Sequence, residues 1–427
     1  VSESWFGRDL ELRLGNPGHG GFCVARHEGR VVFVRHGLPG ELVRARVTED
    51  RGGSFCRADA LEIVEASADR IPALCPISGP GGAGCCDFSH VSLPAQRAMK
   101  ASVVAEQLRR LAGVEREVEV EDLPGTGNGT GWRTRLRLAV DEHGRAGFHG
   151  YRSNRVVTEL LCPQPVLGMY QSLDERDWRP GGEIQVTVDA EGTRHVVEIE
   201  PARVSRTGRR SPGRRGATAR RAASAGPRRE HVVTGSGRAV ERVGGREWEL
   251  SATGFWQAHR GAAATYSAVV RQWSGLTSGQ SAWDLYGGVG VFAAELAGQV
   301  GAGGAVVSVE SARGAVADGR AALGDLGQVR LLAERVEAAL GESGSGELPV
   351  PVDSVVLDPP RSGAGREVVE AVAAANPATV IHIGCDPAAF GRDVGLYLGQ
   401  GYRLEQVRAF DAFPLTHHME CIALLTR

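Results

Sequence analysis

The chain has 427 residues, 42% of them hydrophobic and 23% charged, with 59 glycines and a formal net charge of −2. That length exceeds one ordinary core and predicts two or three domains with a soluble, globular profile. No apolar run is long enough to span a bilayer, and Val1–Leu14 lacks the basic start and apolar stretch of a signal peptide, so a cytoplasmic protein without a membrane partner is expected. Eight cysteines in a chain of this size do not make a disulfide scaffold; in a cytoplasmic protein they read as metal ligands or nucleophiles.

Residues 1–66 read as short strands. Leu10–Leu14, Val31–Arg35, Glu41–Val47 and Leu61–Glu65 alternate apolar and polar residues between Gly-rich turns, and the Asn16–Gly21 turn leads into a further strand at Phe22. The pattern predicts a five-stranded barrel of the OB type, a common binder of single-stranded nucleic acid. A central domain is expected over 70–200. It opens with Ile71–His90, which holds three cysteines, and continues with an amphipathic helix over about Leu93–Leu111. Strands follow at Arg133–Val140, Ala146–His149, Glu183–Val188 and Arg194–Ile199.

Segment 201–230 carries ten arginines against one acid, a net of +9, so the rest of the chain sums to −11. It has no hydrophobic periodicity and reads as an insertion or linker, with phosphate contact as the second reading. Lys100 is the only lysine, so nearly all basic charge is arginine. Over 245–427 strands and helices alternate from Ala282–Tyr286 to Cys421–Leu425. Repeated βα units predict a doubly wound parallel sheet with its ligand crevice at the carboxyl ends of the strands. The fold class is therefore α/β, of the Rossmann-like kind, with an N-terminal β-barrel and a small α+β domain between them.

Four short motifs fall at strand ends. Asp284–Gly290 (DLYGGVG) is a glycine-rich turn, with Gly288 inside it, and Glu310 ends the next strand, where an acid can bind ribose hydroxyls. By itself this pair fits a nicotinamide cofactor, S-adenosylmethionine or a structural turn. Asp358-Pro-Pro-Arg361 follows an apolar strand; its prolines stiffen a loop that can hold a planar base, and Asp358 can accept a hydrogen bond from a ring N–H. Cys385, in IGCDP, lies between a strand end and a helix whose first residue is Pro387, where the helix dipole is expected to lower the thiol pKa. In Phe413–Glu420 (FPLTHHME), Glu420 can serve as a general base, and His417 and His418 position the loop or contact RNA rather than bind metal.

Together these residues resemble the RNA 5-methyluridine methyltransferase family. Residues 1–66 look like its TRAM domain, Phe255-Trp-Gln257 like its F-F-Q segment, Asp284–Gly290 like D-L-Y-C-G-V-G, Gly384–Pro387 like S-C-N-P, and Phe413–Glu420 like F-P-x-T-x-H-x-E. The resemblance implies transfer of methyl from S-adenosylmethionine to carbon 5 of a uridine. The Cys385 thiolate would add to C6, Asp358 would hold the uracil edge, and Glu420 would remove the C5 proton. The target uridine is single-stranded or flipped out. Gln257, Tyr286, Gly288, Glu310, Glu334 and Asp358 are implied to line the cofactor site.

The resemblance also implies a [4Fe–4S] cluster on Cys75, Cys85, Cys86 and Cys162, although Ala83 stands where the family's second cysteine aligns and Cys85 replaces it. Zinc and no metal are the alternatives. Partners implied are RNA, with 23S ribosomal RNA favoured over tRNA, and no DNA; a monomer is expected. Three rival readings remain: an RNA-binding module with a decayed methyltransferase domain, cytosine-C5 methylation, and a nicotinamide oxidoreductase.

Overall fold

A computed structural model describes residues 4–201, 228–341, 346 and 348–427. The N-terminal sheet contains β1 (Asp9–Arg13), β2 (Pro17–Gly18), β3 (Phe22–His27), β4 (Arg30–Arg35), β5 (Leu42–Asp50) and β6 (Phe55–Glu65), in the order β1-β5-β6-β4-β3-β2. Alternation in β1 and β5 turns Leu10, Leu12, Val43, Ala45 and Val47 inward. The sheet closes where the Gly15 N–H donates to the Val24 carbonyl and the Val24 N–H to that of Asn16. A sixth strand joins the expected five because the turn at Asn16–Gly21 contributes the two-residue β2.

The stretch from Ser67 to Ser92 has no helix or strand of its own. Helix α1 (Leu93–Gln107) then runs into one wider turn, Leu108–Ala112, and stops at Gly113, whose φ of 68° only glycine adopts readily. The central sheet is antiparallel: β8 (Arg135–Val140), β9 (Ala146–His149), β10 (Val156–Val157), β11 (Glu183–Val188), β12 (Arg194–Ile199) and β13 (Glu230–Thr234), ordered β10-β9-β8-β11-β12-β13. The arginine-rich expectation at 201–230 lies mostly outside the described residues. Its flanks pair with each other, so the segment is inserted between two neighbouring strands, and Glu230 itself belongs to β13.

A hairpin of β14 (Arg238–Val243) and β15 (Arg246–Ser251) leads to α2 (Ala262–Trp273). The C-terminal sheet follows with β16 (Ser281–Leu285), α3 (Val291–Val300), β17 (Ala305–Glu310), α4 (Arg313–Ala322), β18 (Val329–Ala333), α5 (Val336–Ala339), β19 (Ser354–Leu357), α6 (Gly365–Ala374), β20 (Thr379–Gly384), α7 (Pro387–Gly399), β21 (Arg403–Phe410) and β22 (Glu420–Thr426). Strand order is β18-β17-β16-β19-β20-β22-β21, with β18 to β20 parallel and β22 antiparallel. Helices cover both faces and bury the central strand β19 along its whole length, as the unbroken apolar run Val355–Leu357 requires.

An eighth strand, β7 (Val120–Glu121), joins the far edge beside β21, and α1 packs on α7. The expected central unit at 70–200 is thus shared between two sheets, because the apolar face of α1 finds its partner in the C-terminal layer. Gly391 and Gly395 allow that approach: a Cβ at residue 395 would lie 2.6 Å from the Leu111 carbonyl oxygen. Among the described residues no helix is long and apolar enough to cross a membrane.

Candidate active site

The carboxyl ends of the parallel strands share one edge of the sheet. The order in which the strands are laid down reverses between β16 and β19, which opens a crevice there. On one side, Tyr286 takes a φ of 62°, rare for a non-glycine residue, and Gly288 and Gly290 follow with positive φ. A Cβ at Gly287 would meet Ser308 Oγ at 2.1 Å. Glu310 ends β17 with its carboxylate held by the Gly288 N–H (3.2 Å) and the Ala312 N–H (2.7 Å). Glu334 follows β18 and donates its N–H to the Glu310 carbonyl. Asp284 accepts from Ser308 and the Ala293 N–H through Oδ2, while its buried Oδ1 has no partner; burial pushes this carboxyl up to about 7.

On the other side, Asp358 follows β19 and Gln257 Nε2 donates to its Oδ2 at 3.5 Å, the limit of a hydrogen bond. Burial, helped by Asp284, pushes Asp358 up to about 7. Cys385 follows β20. The β20–β22 register sets Gly384 opposite Cys421, which brings Glu420, the first residue of β22, beside the thiol. Glu420 is buried with Oε1 unpartnered, and burial plus the Asp358 charge hold it well above the usual carboxylate range, against the pull of Arg361.

The expected low pKa of Cys385 is not what the crevice produces. Burial pushes the thiol up to about 12, reinforced by the carboxyls of Glu420 and Asp358, and these outweigh the pull of Arg361. Two further residues adjoin the same group. Arg361 is the cation facing Glu420 and Cys385, and the buried Tyr266 hydroxyl, without a partner, feels Glu420, Asp358 and Cys385. Arg361 was legible in its motif. Tyr266 sits on an ordinary apolar helix face and gave no signal.

Residues 277–427 match the tRNA (Uracil-5-)-methyltransferase family, and residues 7–61 match the TRAM domain. An uncharacterized RNA methyltransferase of Streptomyces avermitilis is 41% identical, covering 98% of both chains. Another, from Corynebacterium glutamicum, is 39% identical over 98% of this chain and 97% of its own. The chain belongs to the RNA (uracil-5-)methyltransferase family. Its fold is also that of the Pyrococcus abyssi tRNA (uracil-54, C5)-methyltransferase, solved with S-adenosyl-L-homocysteine, at a TM-score of 0.68 and 20% identity over 98% of this chain and all of that one.

For a methyltransferase of this family the donor is S-adenosylmethionine, and the crevice fits it. The turn at Tyr286–Gly290 lets backbone approach a nucleoside closely, and the half-buried Glu310 carboxylate can accept from ribose hydroxyls. The unpartnered Oδ1 of Asp284 marks a polar wall beneath that turn.

The terminal methyltransferase motif is braced from outside the sheet. Lys100 is fully buried and donates to Asp411 Oδ1 (2.5 Å) and to the Phe413 carbonyl (3.2 Å). His417 Nδ1 pairs with Asp87 Oδ2 at 2.7 Å, and Asp87 in turn pairs with Arg35 of the barrel at 2.5 Å. His418 lies against His417 with ring centroids 4.0 Å apart, and burial lowers it to about 3. The two histidines therefore brace the loop. Asp386 accepts from the Ala388 and Ala389 N–H groups and pairs with His19 Nε2 of the barrel at 3.1 Å; burial opposes these contacts, which still hold it down to about 2.

The predicted cysteines do converge. The sulfurs of Cys75, Cys86 and Cys162 all lie within 4.8 Å of one another, with Cys86 to Cys162 at 3.7 Å, and Cys85 Sγ is 4.0 Å from Cys86 Sγ. In a [4Fe–4S] cubane each iron takes its own thiolate, so the four sulfurs are spread apart by the whole cluster. The structure places a group of three buried cysteines, with Cys85 beside it, where the resemblance implies that cluster.

Proposed function

We propose that the chain methylates carbon 5 of a uridine in RNA through a covalent adduct on Cys385. The observation that carries this is the convergence of a thiol, an unpartnered buried carboxyl and a second carboxyl, from Cys385, Glu420 and Asp358, beside a nucleoside-sized turn. C5 of uracil is a poor nucleophile. Addition of the Cys385 thiolate to C6 makes C5 electron-rich, and S-adenosylmethionine supplies the electrophilic methyl. Asp358, held by Gln257, orients the uracil edge. Glu420 then takes the C5 proton, and the C6–sulfur electron pair returns to Cys385 as the ring double bond re-forms. Arg361 offsets negative charge during both steps.

The favoured target is 23S ribosomal RNA, on the strength of the barrel and the four clustered thiols, with tRNA as the second substrate to be tried. The test is methyl transfer from labelled S-adenosylmethionine to unmodified 23S ribosomal RNA and tRNA, with wild type and Cys385→Ala in parallel and the nucleosides identified by mass. The expected product is 5-methyluridine from wild type alone. Product persisting in Cys385→Ala would overturn the covalent mechanism, and 5-methylcytidine would overturn the choice of base.

A further inference from the structure

The segment that carries Asp358 and Arg361 has little of its own to hold it. Pro359 and Pro360 have no N–H to donate. Arg361 is exposed, and its guanidinium makes no hydrogen bond or ion pair among the described residues. Yet this is the cation that faces Cys385 and Glu420. Backbone must therefore set its position, and the backbone that follows it is gripped from α7, the helix that starts two residues after Cys385.

Asp393 supplies the grip. It is fully buried on α7 and accepts the N–H groups of Ala364 (2.7 Å) and Gly365 (3.3 Å) at the start of α6. Arg392 beside it donates to the Ser362 carbonyl at 2.7 Å and to Asp393 Oδ1 at 2.8 Å. The approach is close enough to demand glycine: Gly363 takes a φ of 78°, and a Cβ there would collide with Asp393 Oδ2 and with the Arg392 guanidinium. Behind Asp393, His382 Nε2 of β20 stands at 3.6 Å, and burial lowers that imidazole to about 4, so it is neutral at pH 7. The Asp393 carboxylate is thus met by Arg392 and by the N–H groups of the loop it holds.

We propose that Asp393 and Arg392 are positioning residues for methyl transfer, holding the 362–365 backbone so that Arg361 stays over Cys385 and Glu420. The thiol before α7 and the Asp358–Arg361 segment after β19 are thereby mounted on one helix. With the bracket open, Arg361 turns into solvent, where water screens its charge. Cys385 is then left facing the carboxyls of Glu420 and Asp358 without a cation that favours its thiolate. The inference rests on Cys385 as the group that must ionise. Its test needs no RNA, so its failure is distinct from failure of the covalent mechanism.

The measurement is the rate of Cys385 alkylation by iodoacetamide at about pH 9, followed by mass on the peptide that contains it. That pH lies well below the thiol's value of about 12, so the rate is proportional to the thiolate fraction. Arg361→Gln should slow alkylation about threefold or more. Arg392→Ala and Asp393→Asn should each slow it by a similar factor, and adding Arg392→Ala to Arg361→Gln should slow it no further. A bracket that serves stability alone would lower the unfolding temperature and leave these rates at the wild-type value, which would overturn the proposal. So would losses that multiply in the double variant, or an Arg361→Gln rate equal to wild type. If Asp393→Asn does not fold, Arg392→Ala, at a partly exposed side chain, carries the test.

Discussion

At the scale of single residues, the crevice is poised but not charged. Cys385 is held near 12 by burial and by two carboxyls, so little thiolate exists at neutral pH before substrates enter. A sulfonium cation nearby favours the charged thiolate and must lower that value; the uncharged S-adenosylhomocysteine must not. Alkylation of Cys385 should therefore rise only at alkaline pH in the free protein. Its midpoint should move down by about one unit or more with S-adenosylmethionine and stay put with S-adenosylhomocysteine. Coincident profiles for the two ligands would discard this account of thiol activation. Glu420→Gln should stall after methyl transfer and leave RNA covalently attached, visible as a slow band on a denaturing gel; normal turnover would remove Glu420 as the base. For Tyr266, deleting the hydroxyl as Tyr266→Phe should leave thermal stability equal or higher, since that oxygen is buried without a partner, and lower kcat/KM about tenfold.

At the scale of elements, α1 and α7 determine where the nucleophile sits. Helix α7 begins two residues after Cys385, and its Gly391 and Gly395 rest on backbone of the turn that ends α1. Gly395→Leu should cost roughly 1–3 kcal/mol by overpacking, read by urea unfolding, and lower kcat as Cys385 shifts. Lys100 on α1 pairs with Asp411 just before the terminal motif, inside the core. Lys100→Met leaves that carboxylate buried and unpaired, at a cost of about 3–5 kcal/mol, and adding Asp411→Asn should recover part of it. Additive losses in the double variant would show that the pair does not act as a unit. The strands and helices of this sheet were legible nearly to the residue because their apolar runs are long and bounded by Gly, Pro or Asp. The placement of α1 was not, since its amphipathic pattern states only that it needs a partner, not which one.

At the scale of the whole molecule, the barrel is fastened to the active-site loops by His19, which meets Asp386, and by Arg35, which pairs with Asp87 and through it reaches His417. RNA held by the barrel would thus be held in register with the crevice. The arginine-rich insertion joins two paired strands whose ends meet where the Glu200 N–H donates to the Arg229 carbonyl, so a short linker can replace 202–227 without opening the sheet. Eight arginines and no acids lie in that stretch. Its replacement should leave unfolding unchanged, weaken RNA binding at low salt, and flatten the salt dependence by about 0.7 for each phosphate no longer neutralised. An unchanged salt slope would show that the arginines do not touch phosphate.

The doubly wound sheet, the barrel and the residues most suited to the chemistry all follow from the order of residues alone. Hydrophobic period and turn residues are local, and Cys385, Asp358, Glu420 and Glu310 each stand at a strand boundary that local pattern locates. What those residues experience is set by the folded chain. The high pKa of the Cys385 thiol, the Tyr266 hydroxyl beside it, the single buried lysine and the close packing of three cysteine sulfurs all arise between segments tens to hundreds of positions apart. Burial and Coulomb interaction depend on distance in space, which the order of residues does not carry.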